Sequence, residues 1–338
     1  MRYILFMSNI LVTGGAGFMG SWLVDELIDR GENVINVDNL SGGYLRNVNK
    51  KCTFIKGDLR DTKLVNKITK NIDIIYHLAA YAAEGQSVFS PIEINEINLR
   101  PMNNLLVAAV NNNVEKFVFA SSMAVYGDQK PPFDEELSPN PEDPYGAAKA
   151  YCEKVLEIFK KAHRLRYTII RPHNVYGPRQ NIADPYRNVL GIWMNRIMKN
   201  KPPIIYGEGK QIRAFSYVED TIKAFANAGF YRKSDSEIIN LGSPKYTSIN
   251  EACELVLKTF DSKLKPIHVP PRLQEVKFAY STFKKSETLL DYKEEHDLEE
   301  GLVLMANWAK KLGPQKSTYT LPLEIKRNAP EVWLRKKM

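Results

Sequence analysis

The stretch Ile10-Leu11-Val12-Thr13-Gly14-Gly15-Ala16-Gly17-Phe18-Met19-Gly20 joins a short apolar run to an amphipathic segment through a glycine turn. Glycines three apart (Gly14, Gly17, Gly20) permit a tight turn, let a ligand approach the backbone, and let a helix sit close on a strand. From Phe18 to Arg30 the spacing is helical, with Leu23 and Leu27 four apart on one face. That helix would begin at the turn, so its free N–H groups and positive dipole end would face an anion there. A glycine trio alone is often structural. Here Asp38 lies 18 residues past Gly20, at the end of the next apolar run, Val34-Ile35-Asn36-Val37. A carboxylate at that place can accept hydrogen bonds from both ribose hydroxyls and would repel a 2′-phosphate, which predicts NAD rather than NADP.

Working outward, the alternation repeats. Phe54-Ile55 runs to Gly57-Asp58, Ile72-Asp73-Ile74-Ile75-Tyr76 to His77, Lys116-Phe117-Val118-Phe119-Ala120 to Ser121-Ser122, and Tyr167-Thr168-Ile169-Ile170 to Arg171. Strands alternating with helices predict an α/β fold, a Rossmann-type doubly wound parallel sheet with ligands beyond the carboxyl ends of its strands. After Arg171 the rhythm breaks, and Pro172, Gly177, Pro178, Pro185, Pro202, Pro203, Gly207 and Gly209 crowd in. The chain reads as a cofactor lobe of residues 1–172 plus about 214–240, to which a strand–helix unit from Ala214 to Arg232 returns. A smaller mixed α/β substrate lobe takes 173–213 plus about 241–312, ending in a helix from about Leu298 to Leu312, and 313–338 is a basic extension.

A chain of 338 residues suits two lobes around a cleft. Hydrophobic residues at 44% and charged residues at 25% are ordinary for a soluble protein, and no stretch nears the ~18–20 uninterrupted apolar residues that cross a bilayer. The start, Met1-Arg2-Tyr3-Ile4-Leu5-Phe6-Met7, has the look of a short signal peptide, but it leads straight into a strand without a small-residue cleavage site. Cys52, Cys152 and Cys253 are widely spaced and form no CxxC. They predict neither a disulfide framework nor a metal site, and a cytoplasmic setting. Of the net charge of +8, most sits in residues 310–338, where eight Lys/Arg face two Asp/Glu. Without interleaved aromatic platforms or zinc knuckles, this predicts a solvated tail rather than nucleic-acid or membrane binding.

Several spaced motifs carry a resemblance. Thr13 to Gly20, Val37-Asp38-Asn39-Leu40, Gly57-Asp58-Leu59, His77-Leu78-Ala79-Ala80 and Tyr145-Gly146-Ala147-Ala148-Lys149 resemble the extended short-chain dehydrogenase/reductases. Within them the chain is similar to the NAD-dependent sugar-nucleotide epimerase/dehydratase family, from about residue 8 to about residue 290. The resemblance implies a cofactor site of Gly14, Gly17, Phe18, Met19, Gly20, Asp38 and Asn39, with Asp58 and Leu59 flanking the adenine. Ala79, Ala80 and Asn98 would line its inner end.

Tyr145 and Lys149 are four apart at the start of a helix behind Pro144, hence on one face. A phenol titrates near ~10, too high for a base at neutral pH, and both an ammonium and an oxidised nicotinamide favour the phenolate. The resemblance makes Tyr145 the proton acceptor from a sugar hydroxyl, gives Lys149 the nicotinamide ribose, and has Ser122 hydrogen-bond the reacting oxygen. It also separates reactions. The 4,6-dehydratases carry Asp-Glu before Val125-Tyr126-Gly127, and related decarboxylases a Glu; this chain has Met123 and Ala124 there, with no proton to exchange. Reversible hydride transfer at C4 remains, as in a 4-epimerase or a 4-ketoreductase. A protein that senses NAD without catalysis is the rival class, and the intact Ser122, Tyr145 and Lys149 oppose it.

By the same resemblance Asn174, Asn188, Arg213 and Arg272 would contact a UDP-sugar, the two guanidiniums gripping its diphosphate. Ala214 and Gln274 depart from the family, which often has Asp and Gly there. Tyr81-Ala82-Ala83-Glu84-Gly85, Arg171-Pro172-His173-Asn174 and Arg187 look like the UDP-glucuronate 4-epimerase branch. Arg187 could meet a uronate carboxylate, or simply pair with Asp184 three residues earlier; the resemblance implies 4-epimerisation of UDP-glucuronate to UDP-galacturonate, with UDP-glucose and UDP-galactose as the alternative pair. His77 and His173, at strand ends without acidic ligand patterns, read as hydrogen-bonding structural residues. The likeness also implies a homodimer through helices near 90–112 and 144–163.

Overall fold

Each of these apolar runs forms a strand of one parallel sheet in the computed structural model, which describes residues 7–272, 275–318 and 321–338. Met1–Phe6, including most of the signal-like start, and Gln274 lie outside the described residues. The strands are β1 (Asn9–Thr13), β2 (Asn33–Asp38), β3 (Thr53–Lys56), β4 (Ile74–His77), β5 (Lys116–Ala120) and β6 (Arg166–Pro172). A seventh, Glu237–Leu241, lies beside β6, so the spatial order is seventh-β6-β5-β4-β1-β2-β3. β4 and β5 are buried at every position because helices cover both faces, which is why they read as continuous apolar runs. Strand order reverses between β1 and β4, and the crevice at that switch point is where such sheets hold ligands.

One face is packed by Leu23, Val24 and Leu27 of the helix Phe18–Asp29 and by Ile222 and Phe225 of the helix Val218–Phe230. The other is packed by Met102, Leu105 and Leu106 of the helix Pro91–Asn111 and by Cys152 and Leu156 of the helix Pro144–His163. The smaller lobe has its own core, with Trp193 and Met194 against Ala252, Val256, Leu302 and Met305. Its helices start as their sequences dictate: Ser248 with Glu251, and Asp297 with Glu300, both close capping boxes.

Three expectations are corrected. The segment from Ala214 does not bring a strand to the main sheet. Ile212–Ala214 pairs with Tyr246–Ser248 and Phe278–Ala279 in the small lobe, and Ser216–Tyr217 pairs with Val175–Tyr176. Only the helix Val218–Phe230 crosses back, and Glu237–Leu241 is the strand that joins β6. Second, the helix Lys284–Leu290, expected in the small lobe, covers the edge of the large one, where Leu290 and Tyr292 enter the first-face core. An edge strand needs that cover. Third, the described residues of the expected tail, 313–318 and 321–338, are not a solvated extension. Trp333 is 2% exposed, and Leu323, Ala329, Val332 and Met338 pack around it with Phe89 and Tyr186. The basic side chains set the average composition, while apolar residues spaced among them make the contacts.

A buried ion pair links three of the main elements. The Arg171 guanidinium at the end of β6 grips the Glu153 carboxylate of the helix Pro144–His163 (Nη2–Oε2 2.6 Å, Nε–Oε1 2.9 Å). Glu153 also accepts from Ser121 Oγ at the end of β5, and Arg171 donates to Tyr126 Oη (2.7 Å). Both charged side chains are almost fully buried. Glu153→Ala, which leaves a buried guanidinium unpaired, should cost about 3–5 kcal/mol, whereas replacing both partners by apolar residues should cost much less. Urea unfolding checks this; an unchanged midpoint for Glu153→Ala would show the pair to be idle.

Candidate active site

The glycine turn leaves the end of β1 and enters the helix Phe18–Asp29 with Gly17 as its N-cap. Gly14 has φ +74, and a Cβ there would stand 2.8 Å from the Ala79 backbone; a Cβ on Gly20 would strike the Gly14 carbonyl. No side chain caps this helix and no acid lies in its first turn, so its N–H groups and positive end are left for an anion. Phe18, Met19 and Gly20 line the cleft beside it, a cavity of about 510 Å³ that runs from the turn into the small lobe. Asp38 stands at the end of β2, accepting the N–H groups of Ala16 (3.0 Å) and Leu40 (2.7 Å). Burial pushes its carboxyl above the usual range, against those backbone donors. The set fits NAD: backbone donors for a pyrophosphate, and a carboxylate for a ribose diol.

Asn39, Asp58 and Leu59 line the same end of the cleft. The hydrogen bond from Arg60 (2.7 Å) holds the Asp58 carboxyl below its usual range. Ala79 and Ala80 follow β4 on the cleft wall, tied back through the Ala79 N–H to Thr13 Oγ1 (3.3 Å). Asn98 does not reach the cleft lining. Its amide is used by the loop, accepting from Tyr81 N–H (3.0 Å) and donating to Ile94 and Tyr81 carbonyls, so it positions the Ala79–Tyr81 turn.

At the far end of this wall Ser122, Tyr145 and Lys149 come together, as their places at the end of β5 and on one helix face require. The helix starts where the sequence says: Pro144 is its first residue, and Asp143 accepts from Gly146 N–H (2.9 Å). Ser122 Oγ accepts from Ala124 N–H (3.1 Å) and faces the phenol. Lys149 donates to the Ala120 carbonyl (2.7 Å) with its nitrogen 5.7 Å from the Tyr145 ring centre. Burial lowers Lys149 to about 8. Burial, then the nearby Glu84 carboxylate, hold the Tyr145 phenol well above its usual value, with the Ser122 hydroxyl pulling the other way. Burial and Glu84 therefore disfavour the phenolate, which a positive charge beside the phenol would favour.

Asn174 and Asn188 line the small-lobe side, both in the left-handed region (φ 36 and 65). Asn174 is held by its Nδ2 on the Ala214 carbonyl (2.8 Å). Arg213 donates to the Val276 (2.7 Å) and Ile212 (2.8 Å) carbonyls, and Arg272 pairs with Glu275 (2.9 Å) over the Tyr206 ring. Both guanidiniums border the cleft. Arg187 is paired with Asp184 (2.7 Å) and lies 4.8 Å from the Tyr81 ring centre, also at the cleft wall. The alternative left open, an i,i+3 ion pair, is thus formed.

His77 shares a hydrogen bond with Thr13 Oγ1 (2.8 Å), and burial lowers it to about 3. His173 is also buried and lowered to about 3 by that burial, with the Asn240 side chain beside it pulling the other way. Among the described residues no group of three or more His, Cys, Asp or Glu could hold a metal ion, and no helix is long and apolar enough to cross a membrane. Sequence reasoning overlooked two acids. Glu84 opens into the cleft, where burial and Asp143 raise its carboxyl against Arg272 and Arg213. Asp143, the helix cap, is itself raised by burial. The Asp143-Pro144 start was a signal for the second; Glu84 stood in the stretch Tyr81–Gly85, quoted for its resemblance without a role for the acid.

The family model of the NAD dependent epimerase/dehydratase family matches residues 10–242. A putative UDP-glucose 4-epimerase of Methanocaldococcus jannaschii is 39% identical over 304 residues, 89% of this chain and 98% of the relative. The crystal structure of Thermotoga maritima UDP-glucose 4-epimerase with UDP-glucose aligns at TM-score 0.86 and 34% identity, covering 90% of this chain and 99% of that one. Bacillus cereus UDP-glucuronic acid 4-epimerase, with UDP-glucuronic acid and NAD, aligns at TM-score 0.84 and 28% identity over 90% of this chain and 99% of its own.

Burying a protonated amine makes Lys149 a stability cost that is full below pH 8. It fades as pH rises from about 8 toward 10.5, where the unfolded chain also loses its proton. Lys149→Met in cofactor-stripped protein should therefore raise the melting temperature at pH 7 and give a much smaller gain at pH 10. An equal gain at both, or none, would contradict the burial of a charged amine.

Proposed function

This chain belongs to the NAD dependent epimerase/dehydratase family, and from that premise we propose that it is a UDP-sugar 4-epimerase, an isomerase that retains NAD through turnover. The observation that carries the reading is the meeting of Ser122, Tyr145 and Lys149 at one end of the cleft that begins at Gly14, with Met123 and Ala124 in the turn beside them. NAD, which the Gly14–Gly20 turn and Asp38 would hold, would supply a reversible hydride acceptor for C4 and a positive charge that favours the phenolate. Tyr145 accepts the C4 hydroxyl proton and gives it back. Ser122 holds the oxygen between those events, and Lys149, fixed on the Ala120 carbonyl, keeps its charge beside the phenol. Arg213 and Arg272 hold the diphosphate, and Asn174 and Asn188 line the pocket between. A 4-ketoreductase would use the same three residues but would release oxidised cofactor. A non-catalytic NAD sensor would have no use for them.

For the sugar we propose a neutral hexose, as in UDP-glucose and UDP-galactose, in place of the uronate expected from the sequence. Arg187 is already neutralised by Asp184, and Glu84 adds a negative charge near Tyr145, which a sugar carboxylate would have to face. The uronate reading, UDP-glucuronate to UDP-galacturonate, keeps one supporting observation: Arg187 still borders the cleft and bears on Tyr145. Proton NMR of the sugar after incubation without added reductant separates these readings. The C4 epimer of UDP-glucose should form and that of UDP-glucuronate should not, and the reverse would overturn the hexose assignment. Net NADH or carbon dioxide would overturn epimerisation. Tyr145→Phe should keep its NAD and lose turnover by at least ~100-fold.

We further propose a homodimer. The helices Pro91–Asn111 and Pro144–His163 lie side by side and leave Val107, Tyr151 and Ile158 exposed at 54%, 44% and 50%. Pairing two copies across a two-fold axis would cover them as a four-helix bundle. Analytical ultracentrifugation should give twice the chain mass, and Val107→Glu with Ile158→Glu should halve it; a wild-type monomer would refute the pairing.

A further inference from the structure

The segment after Leu312 is built into the cleft. Gln86 Nε2 donates to the Leu321 carbonyl (3.3 Å) and Ser90 Oγ to that of Pro322 (2.8 Å). The N–H groups of Glu324 and Ile325 both donate to the Phe89 carbonyl (2.8 and 2.9 Å). The Glu324 carboxylate then accepts from Ile92 and Glu93 N–H (3.0 and 2.9 Å), filling the open start of the helix Pro91–Asn111. At the other end, Arg196 donates to the Lys337 carbonyl (2.8 Å) and Ser317 Oγ to that of Met338 (3.0 Å). Among these anchors Trp333 is inserted edge-on against Tyr186, Phe89 and Tyr206, at centroid distances of 5.0, 5.9 and 6.4 Å.

Gly85 is the notch that receives it. A Cβ on Gly85 would lie 3.1 Å from Arg272 Nη1 and 3.3 Å from the Trp333 ring, so both side chains settle over the same bare backbone. The Arg272 guanidinium is 4.9 Å from the Tyr206 ring centre, and Tyr206 is in turn braced by Trp333. Trp333 and Met338 both border the cleft. Two of the relatives described above are matched over 98–99% of their length by about 90% of this chain.

We propose that Trp333 is a positioning residue for nucleotide binding: through Tyr206 and the Gly85 notch it holds Arg272 toward the diphosphate, making residues 313–338 a wall of the substrate site. This rests on the cleft being a UDP-sugar site. Arginine gains its hold on phosphate from a fixed fork geometry, so an arginine left to swing binds less well even with its charge intact.

The test is calorimetric titration of UDP into NAD-loaded protein, which needs no turnover and so stands or falls separately from the epimerase reading. Trp333→Ala should weaken UDP binding about tenfold, as expected for loosening one charged phosphate contact, while NAD content stays at the wild-type level. Trp333→Phe should recover most of the loss. Gly85→Ala, whose added methyl would press on both Arg272 and the Trp333 ring, should weaken UDP similarly. In turnover the KM for the UDP-sugar should rise more than kcat falls. Unchanged UDP affinity in Trp333→Ala would overturn the proposal. So would joint loss of NAD and UDP that phenylalanine does not rescue, since that would make Trp333 a general stability residue.

Discussion

The site depends on a buried ion pair that touches neither proposed ligand. Arg171 ends β6, Glu153 sits two turns into the helix that carries Tyr145, and Ser121 ends β5. Their hydrogen bonds fix how far that helix can slide or turn against the sheet. The distance between Ser122 and Tyr145 is set by this clamp, because Ser122 follows Ser121 directly and Tyr145 lies on the clamped helix. Arg171 reaches onward to Tyr126 and through it to Asn240 of the seventh strand. A charge pair this deep brings little net stability over apolar packing. Its value here is geometric: few apolar contacts could hold three element ends in one register.

The electrostatics around Tyr145 run against its ionisation. Burial and the Glu84 carboxylate disfavour the phenolate, and Lys149, although close, is itself pulled toward neutrality by burial. A base silent until a cation arrives is useful to an enzyme that holds its cofactor. The Asp38 carboxylate shows the same economy: backbone donors keep it ready for a neutral diol, and its charge turns away a phosphate.

The large lobe was legible in the sequence because its signals are local. Every apolar run up to Arg171 became a strand, and the turn, the helix starts at Phe18 and Pro144, and the last helix at Leu298–Leu312 fell where spacing and caps placed them. The small lobe was less legible. Its strands are two or three residues long, and which sheet they join is decided by distant partners such as Tyr246–Ser248 rather than by their own periodicity. Asn98 was read as a ligand contact from motif position, yet one turn of chain conformation sends its amide to the Tyr81 backbone instead. The tail was not legible from its composition: lysines and arginines dominate it, while Trp333 and the spaced apolar residues Leu323, Ala329, Val332 and Met338 decide where it goes.

The wrap of the tail also orders events during synthesis. Chains emerge from the amino end, and lobes generally fold as they become complete. β1 through the seventh strand, with the glycine turn and Asp38, are all present once residue 241 has been made. The sheet's edge cover, Leu290 and Tyr292, follows by residue 292, so the nucleotide lobe has all its parts while Trp333 is still unmade. Trp333 finds Phe89, more than two hundred residues earlier, only when nearly the whole chain exists. Until then the cleft lacks the side that Trp333 and Met338 line, so on the proposed reading the cofactor end has its parts before the sugar end does.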